Sequence, residues 1–355
     1  MDVHKQHVLN AYHVIFLIQG AMTGIQLLSL SHDLSDVGYS MWVIPLLLGI
    51  IYQIILVYTI ALCRQYPNDT ILVINQKVLG NFLGKAMNIL LFVYTSLIIV
   101  LTIRPYIIVV ILYTISKENL RIWFLFFLLF NTIYLCKGGI KLIARFSTVS
   151  FFFSIMMLIL IINVFFEGTW SHLLPLLNTT IKDTALGLHK GSPAFFGWEL
   201  ILFYFPSIIE KKKALKHASI GLWLTACVYF ISLIANIIYF NTWQLQHNVF
   251  PYNSLLQSFH SSFIERLENI GTYVGMFLVL STAATYLWAA TTAFGNIVKK
   301  ESHWHVYVVG GILFMFMCTP YSKTAHSYIL AVVQYLAYGI YLLPLLLMLI
   351  RKVRV

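Results

Sequence analysis

The chain has 355 residues, of which 60% are hydrophobic and only 10% are charged, and its formal net charge is +11. With a mean hydropathy of +0.84, this composition excludes a soluble globular protein and indicates a chain that lies in a bilayer. The excess of positive charge is interpreted as membrane topology and contact with anionic lipid, not as binding to nucleic acid.

Ten segments are apolar enough to be predicted as membrane spans, each of which needs about 20 residues to cross the hydrocarbon. The predicted spans are residues 11–30, 41–62, 86–112, 120–136, 146–166, 190–209, 218–240, 268–294, 304–319 and 327–350. Their apolar runs are continuous and do not alternate with polar residues, which predicts helices and not a barrel. The first segment has no small-residue cleavage site after it, so it is interpreted as a span and not as a signal peptide.

The order of the spans predicts one membrane domain built from two five-span halves, residues 11–166 and 187–350. The second half would be inverted relative to the first about an axis in the membrane plane. With both termini in the cytoplasm, sixteen Lys and Arg residues lie on the cytoplasmic side and six on the other, which favours this orientation. A short interfacial helix is expected within residues 67–84, and residues 241–262 are expected to form an external lid or a partner surface.

Small residues interrupt the first and sixth spans, which occupy equivalent positions in the two halves. The residues concerned are Gly20, Thr23 and Gly24 in the first span and Gly191, Ser192 and Gly197 in the sixth. Unwound backbone exposes N–H and C=O groups to a ligand, so a matched pair of interrupted spans predicts a solute site. The alternative is close helix packing by small residues, which is common in membrane bundles.

Three charged residues lie in or at the end of predicted spans, where a charge costs at least about 2.5–3.5 kcal/mol and requires a partner or a role. Glu199 either lines the solute cavity, with a possible part in proton coupling, or caps the N–H groups freed by the break. Arg104 precedes Pro105, where a kink or helix end would let it reach a freed carbonyl or the external interface. Alternatively, it is an electrostatic partner of a substrate carboxylate, of Glu199 or of Glu268. Glu268 is expected to form a local ion pair with Arg266.

Two hydroxyl residues, Thr282 and Tyr286, lie four positions apart and so share one face of the eighth span, where they contact either solute or a neighbouring helix. The four cysteines are far apart and predict neither a disulfide framework nor a zinc site. His303 and His305 lack a third nearby ligand, and no catalytic motif is found. No cofactor, metal or enzyme activity is expected.

Four stretches carry a family resemblance. They are Ser-Pro-Ala-Phe-Phe-Gly-Trp-Glu-Leu-Ile-Leu-Phe-Tyr-Phe-Pro (192–206), the three lysines 211–213, Glu-Arg-Leu-Glu (265–268), and residues 138–145. Together they resemble the spore germination permease family, the B subunits of germinant receptors in spore-forming bacteria. That family belongs to the amino acid/polyamine/organocation transporter superfamily, and the resemblance extends over essentially the whole chain.

The resemblance implies an all-α, LeuT-like fold of about ten membrane helices in the inner membrane of the spore. It implies a subunit that binds a small germinant, such as an amino acid or a nucleoside, together with a larger A-type membrane subunit and a C-type lipoprotein subunit. The broken sixth helix of the family corresponds here to Phe196, Gly197 and Glu199. The family more often has an acidic residue shortly after the arginine of its third span, whereas this chain has Ile108 at about that place, which leaves the ligand class open.

Two functions remain open from the sequence. One is a nutrient sensor, in which ligand binding favours one conformation of the receptor. The other is an active amino-acid permease coupled to H⁺ or Na⁺. In both cases Gly197→Leu is expected to fill the break and abolish the response while protein amounts stay near normal.

Overall fold

The computed structural model describes residues 8–115, 120–175, 179–258, 266–299, 302–319 and 322–354. Nearly all of these residues are helical. The helices are α1 (Ala11–Thr23), α2 (Gln26–Asp33), α3 (Ile44–Gln65), α4 (Ile71–Leu79), α5 (Asn81–Val110), α6 (Arg121–Lys137), α7 (Gly139–Leu160), α8 (Val164–Glu167), α9 (Ile181–Gly191), α10 (Ile201–Tyr204), α11 (Ala214–Tyr239), α12 (Thr242–His247), α13 (Pro251–Ser258), α14 (Leu267–Val298), α15 (Trp304–Cys318) and α16 (Lys323–Arg354).

The protein is a multi-pass helical membrane protein. Within the described ranges, six helical stretches are long and apolar enough to cross a bilayer, and the bent pair α1–α2 makes a seventh if it counts as one span. These seven fall on seven of the predicted spans. The other three predicted spans correspond to α6 with 17 residues, to the short pieces from α9 to α10, and to α15 with 15 residues. A 15-residue helix is only about 22 Å long, so the number of crossings stays a prediction.

The outer surface of the bundle is apolar, as the membrane assignment requires. Large hydrophobic side chains such as Ile54, Phe126, Phe152 and Val332 are more than half exposed. A soluble protein rarely exposes so much contiguous apolar surface, whereas lipid tails solvate it without cost. The most buried of the six apolar stretches is α14, and α1, α5 and α7 are among the helices that pack against it.

The predicted interfacial segment contains α4, which is followed by a turn at Gly80 into α5. Hydrogen bonds between amide side chains hold this short helix against α5 and α14. Asn75 donates to Asn88 at 3.0 Å, and Asn88 donates to Asn296 of α14 at 2.9 Å. Gln76 also donates to Asn296, at 3.0 Å. The predicted external segment 241–262 contains α12 and α13, and its last residues lie outside the described ranges.

The start of the described chain is fastened to the segment that follows α10. The N–H groups of Val8 and Leu9 both donate to the carbonyl of Ser207, at 2.9 and 3.1 Å, and Ile209 donates to the carbonyl of Leu9 at 3.1 Å. These bonds form a parallel bridge between Leu9 and Ile208. Val8 and Leu9 are therefore bonded to the last residues of the sixth predicted span.

Candidate functional site

The first predicted interruption is present in the structure. Helix α1 ends at Thr23, α2 begins at Gln26, and the two axes differ in direction by 51°. Thr282 of α14 lies against this bend, and its hydroxyl donates to the carbonyl of Gly20 at 3.0 Å. A Cβ atom on Gly24 would lie 2.8 Å from the Thr282 hydroxyl oxygen. The small residues of the first span therefore allow α14 to approach the bend closely.

The second predicted interruption is also present, between α9 and α10. After α9 ends at Gly191, a 3₁₀ turn is followed by Gly197, whose φ of 129° is one that side chains disfavour. A Cβ atom on Gly197 would lie only 2.7 Å from the carbonyl carbon of Ala21 in α1. The two interrupted spans therefore touch backbone to backbone, and glycine is required at this contact.

Glu199 lies directly after the second break and is 2% exposed. Its Oε1 accepts hydrogen bonds from the hydroxyls of Tyr94 at 2.8 Å and Tyr286 at 2.6 Å. Its Oε2 accepts from the N–H of Gly197 at 2.9 Å. The carboxyl group thus satisfies a backbone donor freed by the break, as the structural interpretation expected. It also ties α5, the sixth span and α14 together, because each of the three contributes a donor.

A small cavity of about 40 Å³ lies between the two breaks, which is room for a few water molecules. Gly24 and Ile25 border it from the first break, and Pro193 and Phe196 border it from the second. The remaining lining residues are Ala21, Met22, Gln26, Ile98, Leu101, Thr102, Thr282, Tyr286 and Leu330. Tyr286 therefore borders the cavity, and its hydroxyl also donates a hydrogen bond to the Glu199 carboxylate.

The other predicted site residues lie close to this cavity without bordering it. Thr23 donates to the carbonyl of Gln19 at 2.7 Å. Gly20 of α1 packs against Ser147 of α7 and Ser281 of α14. Ser192 donates to the carbonyl of His189. These predicted residues thus lie in one region, but several of them pack between helices or form hydrogen bonds with backbone carbonyls.

Glu268 takes the structural role considered for it, and Arg104 also binds carbonyls, but the expected break at Pro105 is absent and these carbonyls belong to another helix. Helix α5 continues through Pro105, and the Arg104 guanidinium donates to the carbonyls of Phe316, Met317 and Thr319 at the end of α15. Glu268 accepts from Arg266 at 2.8 Å. Both acids that were considered as partners of Arg104 are thus bound elsewhere. Across the described ranges, no three His, Cys, Asp or Glu residues converge as metal ligands.

Tyr94 and Gln19 are polar residues of the site that the sequence analysis missed. Tyr94 is 1% exposed and belongs to a span otherwise rich in aliphatic residues, where a buried hydroxyl requires a partner. Gln19 is fully buried in α1 and donates to Thr23 at 2.8 Å and to Ser154 at 3.3 Å. Gln19 could have been predicted from the sequence, because it is an amide next to a predicted break and a polar group is costly in a membrane span.

The fold defines a class: a polytopic helical membrane protein in which two interrupted helices meet beside an interior cavity. The profile of the family described as spore germination protein matches residues 8–326, and the chain belongs to this family. It is 26% identical to spore germination protein GerQB of Bacillus cereus over 317 residues, which is 88% of this chain and 86% of the relative. It is 21% identical to spore germination protein A2 of Bacillus subtilis (strain 168) over 344 residues, which is 96% and 94% of the two chains.

Replacement of Gly197 is predicted to destabilise the protein itself, which revises the expectation of near-normal protein amounts for Gly197→Leu. Even Gly197→Ala combines a disfavoured φ with a clash against the Ala21 backbone, and we expect a loss of at least about 2 kcal/mol. The measurement is the melting temperature of the purified protein and its amount in membranes. Gly339→Ala is the matched control, since no atom lies within 4 Å of its added Cβ. Equal melting temperatures of the two variants would contradict the close contact.

Glu199→Gln is predicted to be less damaging than Glu199→Leu. The amide oxygen of glutamine still accepts from Tyr94 and Tyr286, but its NH₂ group then faces the N–H of Gly197, so one bond is lost. Leucine leaves all three donors without an acceptor, at about 1–3 kcal/mol each. Melting temperatures of the purified variants measure the difference. The same substitutions at exposed Glu210, which pairs with Lys213, serve as controls and are expected to change little.

Proposed function

We propose that this chain is the nutrient-sensing subunit of a spore germination receptor, which binds a small solute between the two helix breaks and triggers germination. The family supports the germination role. The observation that carries the proposal is the cavity, because it lies where the two interrupted helices meet and is bordered by both. Such a place offers a ligand both unwound backbone and a moving part.

The cavity also indicates how binding would be coupled to a response. At about 40 Å³ it is smaller than any amino acid or nucleoside, so it must enlarge to admit either. We propose that it enlarges when the two breaks separate at the contact between Gly197 and Ala21. A ligand shifts a conformational equilibrium only when it binds one conformation more tightly than the other. A cavity large enough for the ligand in only one conformation gives this difference in affinity.

The wider architecture that we propose is the LeuT-like one, with about ten spans in two inverted halves, residues 11–166 and 187–350. The interruptions in the first and sixth predicted spans support it, as do α6 and α15, which supply helices at two of the uncertain spans. Both termini would then face the cytoplasm, in the inner membrane of the spore. The chain would assemble there with a larger A-type membrane subunit and a C-type lipoprotein.

An active permease coupled to H⁺ or Na⁺ is the second candidate, and one observation favours it. Tyr286 borders the cavity and donates to the buried Glu199. A change of protonation at that carboxyl group would therefore alter a hydrogen bond of a residue that lines the solute site. Uptake of labelled solute into vesicles that contain only this chain tests it. Net uptake supports the permease, whereas nutrient-dependent germination without uptake supports the sensor.

The sensing role predicts a selective defect in spores that lack this chain. Their germination is compared with that of the parent, nutrient by nutrient, and the wild-type chain is then restored. We expect loss of the response to one nutrient class and its recovery on restoration. An unchanged response to every nutrient, in a strain without other receptors of this family, would refute the role.

The cavity assignment predicts different effects for two matched variants, Tyr286→Phe and Tyr94→Phe. Each removes one hydrogen bond to Oε1 of Glu199, but only Tyr286 lines the cavity. We expect Tyr286→Phe to raise the nutrient concentration for half-maximal germination about fivefold to tenfold more than Tyr94→Phe does. Protein amounts in spore membranes are measured in parallel. Equal shifts would show that both act through Glu199 alone and would place the ligand elsewhere.

A further inference from the structure

A larger cavity of about 350 Å³ opens at the end of the bundle where the chain leaves the broken sixth span. Its lining residues are Arg64, Pro67, Phe205, Lys211 and Lys212. Three of these side chains are cations, contributed by the end of α3 and by the 3₁₀ turn that leads into α11. We call it the basic pocket. It is separate from the cavity between the breaks, and the inference drawn from it does not depend on the proposed function.

The cations of the basic pocket are held in place by neutral partners. Arg64 donates to the carbonyl of Lys212 at 2.9 Å, and Lys211 donates to the side-chain oxygen of Asn68 at 3.0 Å. Neither bond neutralises a positive charge. Because a guanidinium has five N–H donors and an ammonium has three, both groups retain donors for an anion after these bonds are made. Positioned donors bind an anion without the cost of ordering them first.

The charge around the basic pocket is strongly unbalanced. The neighbouring acid Glu210 is paired with Lys213 at 2.7 Å, so its charge is already compensated. A further cation, Arg351 at the end of α16, lies 5.1 Å from the ring of Tyr66 and donates to Gln65 at 2.6 Å. The pocket therefore combines an excess of positive charge with oriented donors, which is the chemistry that recognises a phosphate group.

One face of α3 connects the basic pocket to the lipid. Ile50, Val57 and Arg64 are spaced seven residues apart, so they follow one another along one side of the helix at steps of about 10 Å. Ile50 and Val57 are about half exposed, as lipid-facing residues are in this structure, and Arg64 is exposed at the end of the same row. A lipid whose chains cover this row would bring its headgroup to Arg64.

We propose that the basic pocket binds the headgroup phosphate of an anionic phospholipid, whose acyl chains lie along the exposed row of α3. Arg64 and Lys211 contact the phosphate, and the exposed Pro67 contacts the glycerol end of the chains, while the buried Phe205 forms part of the pocket wall. Phe205 directly follows α10, the short helix behind Glu199. An occupied pocket thus holds the segment after the second break in its present position, and the bound lipid stabilises this conformation of the site.

The test uses the full-length purified protein in detergent, with short-chain phosphatidylglycerol, short-chain phosphatidylcholine, inorganic phosphate and a short polyglutamate peptide, which is the acidic peptide, as probes. Melting temperatures are recorded against probe concentration for wild type, for Arg64→Gln/Lys211→Gln, and for Lys137→Gln/Lys141→Gln. The last variant removes two exposed cations from the α6–α7 region and is the matched control. We expect phosphatidylglycerol to stabilise wild type and control equally, and to bind the pocket variant at least about tenfold more weakly.

A second measurement counts the bound lipids directly, and its result for wild type does not depend on how well the pocket variant folds. Wild type, the control and the pocket variant are each placed in bilayer discs of mixed phosphatidylglycerol and phosphatidylcholine, and the lipids that stay bound are counted by native mass spectrometry. Retained phosphatidylglycerol in wild type and control, but not in the pocket variant, supports the proposal. Equal stabilisation by inorganic phosphate would assign a free anion, and equal retention of phosphatidylcholine would show non-specific binding. Stabilisation by an acidic peptide without any by phosphatidylglycerol would assign a protein partner, and each of these three results overturns the proposal.

Discussion

The structure depends on one constraint, which is that a helix interrupted within hydrocarbon must still satisfy the backbone groups that the interruption frees. At the second break the solution is Glu199, which accepts the N–H of Gly197 and two tyrosine hydroxyls. At the first break, the hydroxyl of Thr282 donates to the carbonyl of Gly20. In both places a polar side chain replaces what water would supply elsewhere, and the position of that side chain determines which helices surround the break.

The two breaks are not independent features. Gly197 lies against the backbone of Ala21, so the two interrupted spans form a single contact, and the cavity lies beside it. Residues that border the cavity also hold the breaks together: Thr282 binds the first span, and Tyr286 binds Glu199 of the sixth. A solute that enters this space must therefore displace groups on which the helix geometry depends. Such an arrangement suits a protein whose output is a change of conformation, whether or not the solute is carried across.

The sequence was sufficient to predict what short-range patterns encode. The apolar stretches predicted the membrane helices, the small residues predicted both interruptions, and the proximity of Arg266 and Glu268 along the chain predicted their ion pair. Long-range partners could not be predicted in this way. Tyr94 and Tyr286 lie 105 and 87 positions from Glu199 along the chain, and no local pattern relates them. The carbonyls of Phe316 and Met317 that Arg104 binds are backbone groups, which every residue possesses and no sequence pattern reveals.

The hydrogen bonds between Arg104 and the end of α15 can form only late in biosynthesis. The carbonyls that receive the guanidinium are made 212 residues after the arginine or later. At about 5–20 residues per second, the ribosome needs roughly 10–40 s to reach them. Throughout that interval α5 must enter the bilayer with a cation that costs at least about 2.5–3.5 kcal/mol at its centre. The nascent helix must therefore keep Arg104 at the membrane surface, or the insertion machinery must hold it away from lipid, until Phe316, Met317 and Thr319 have been made.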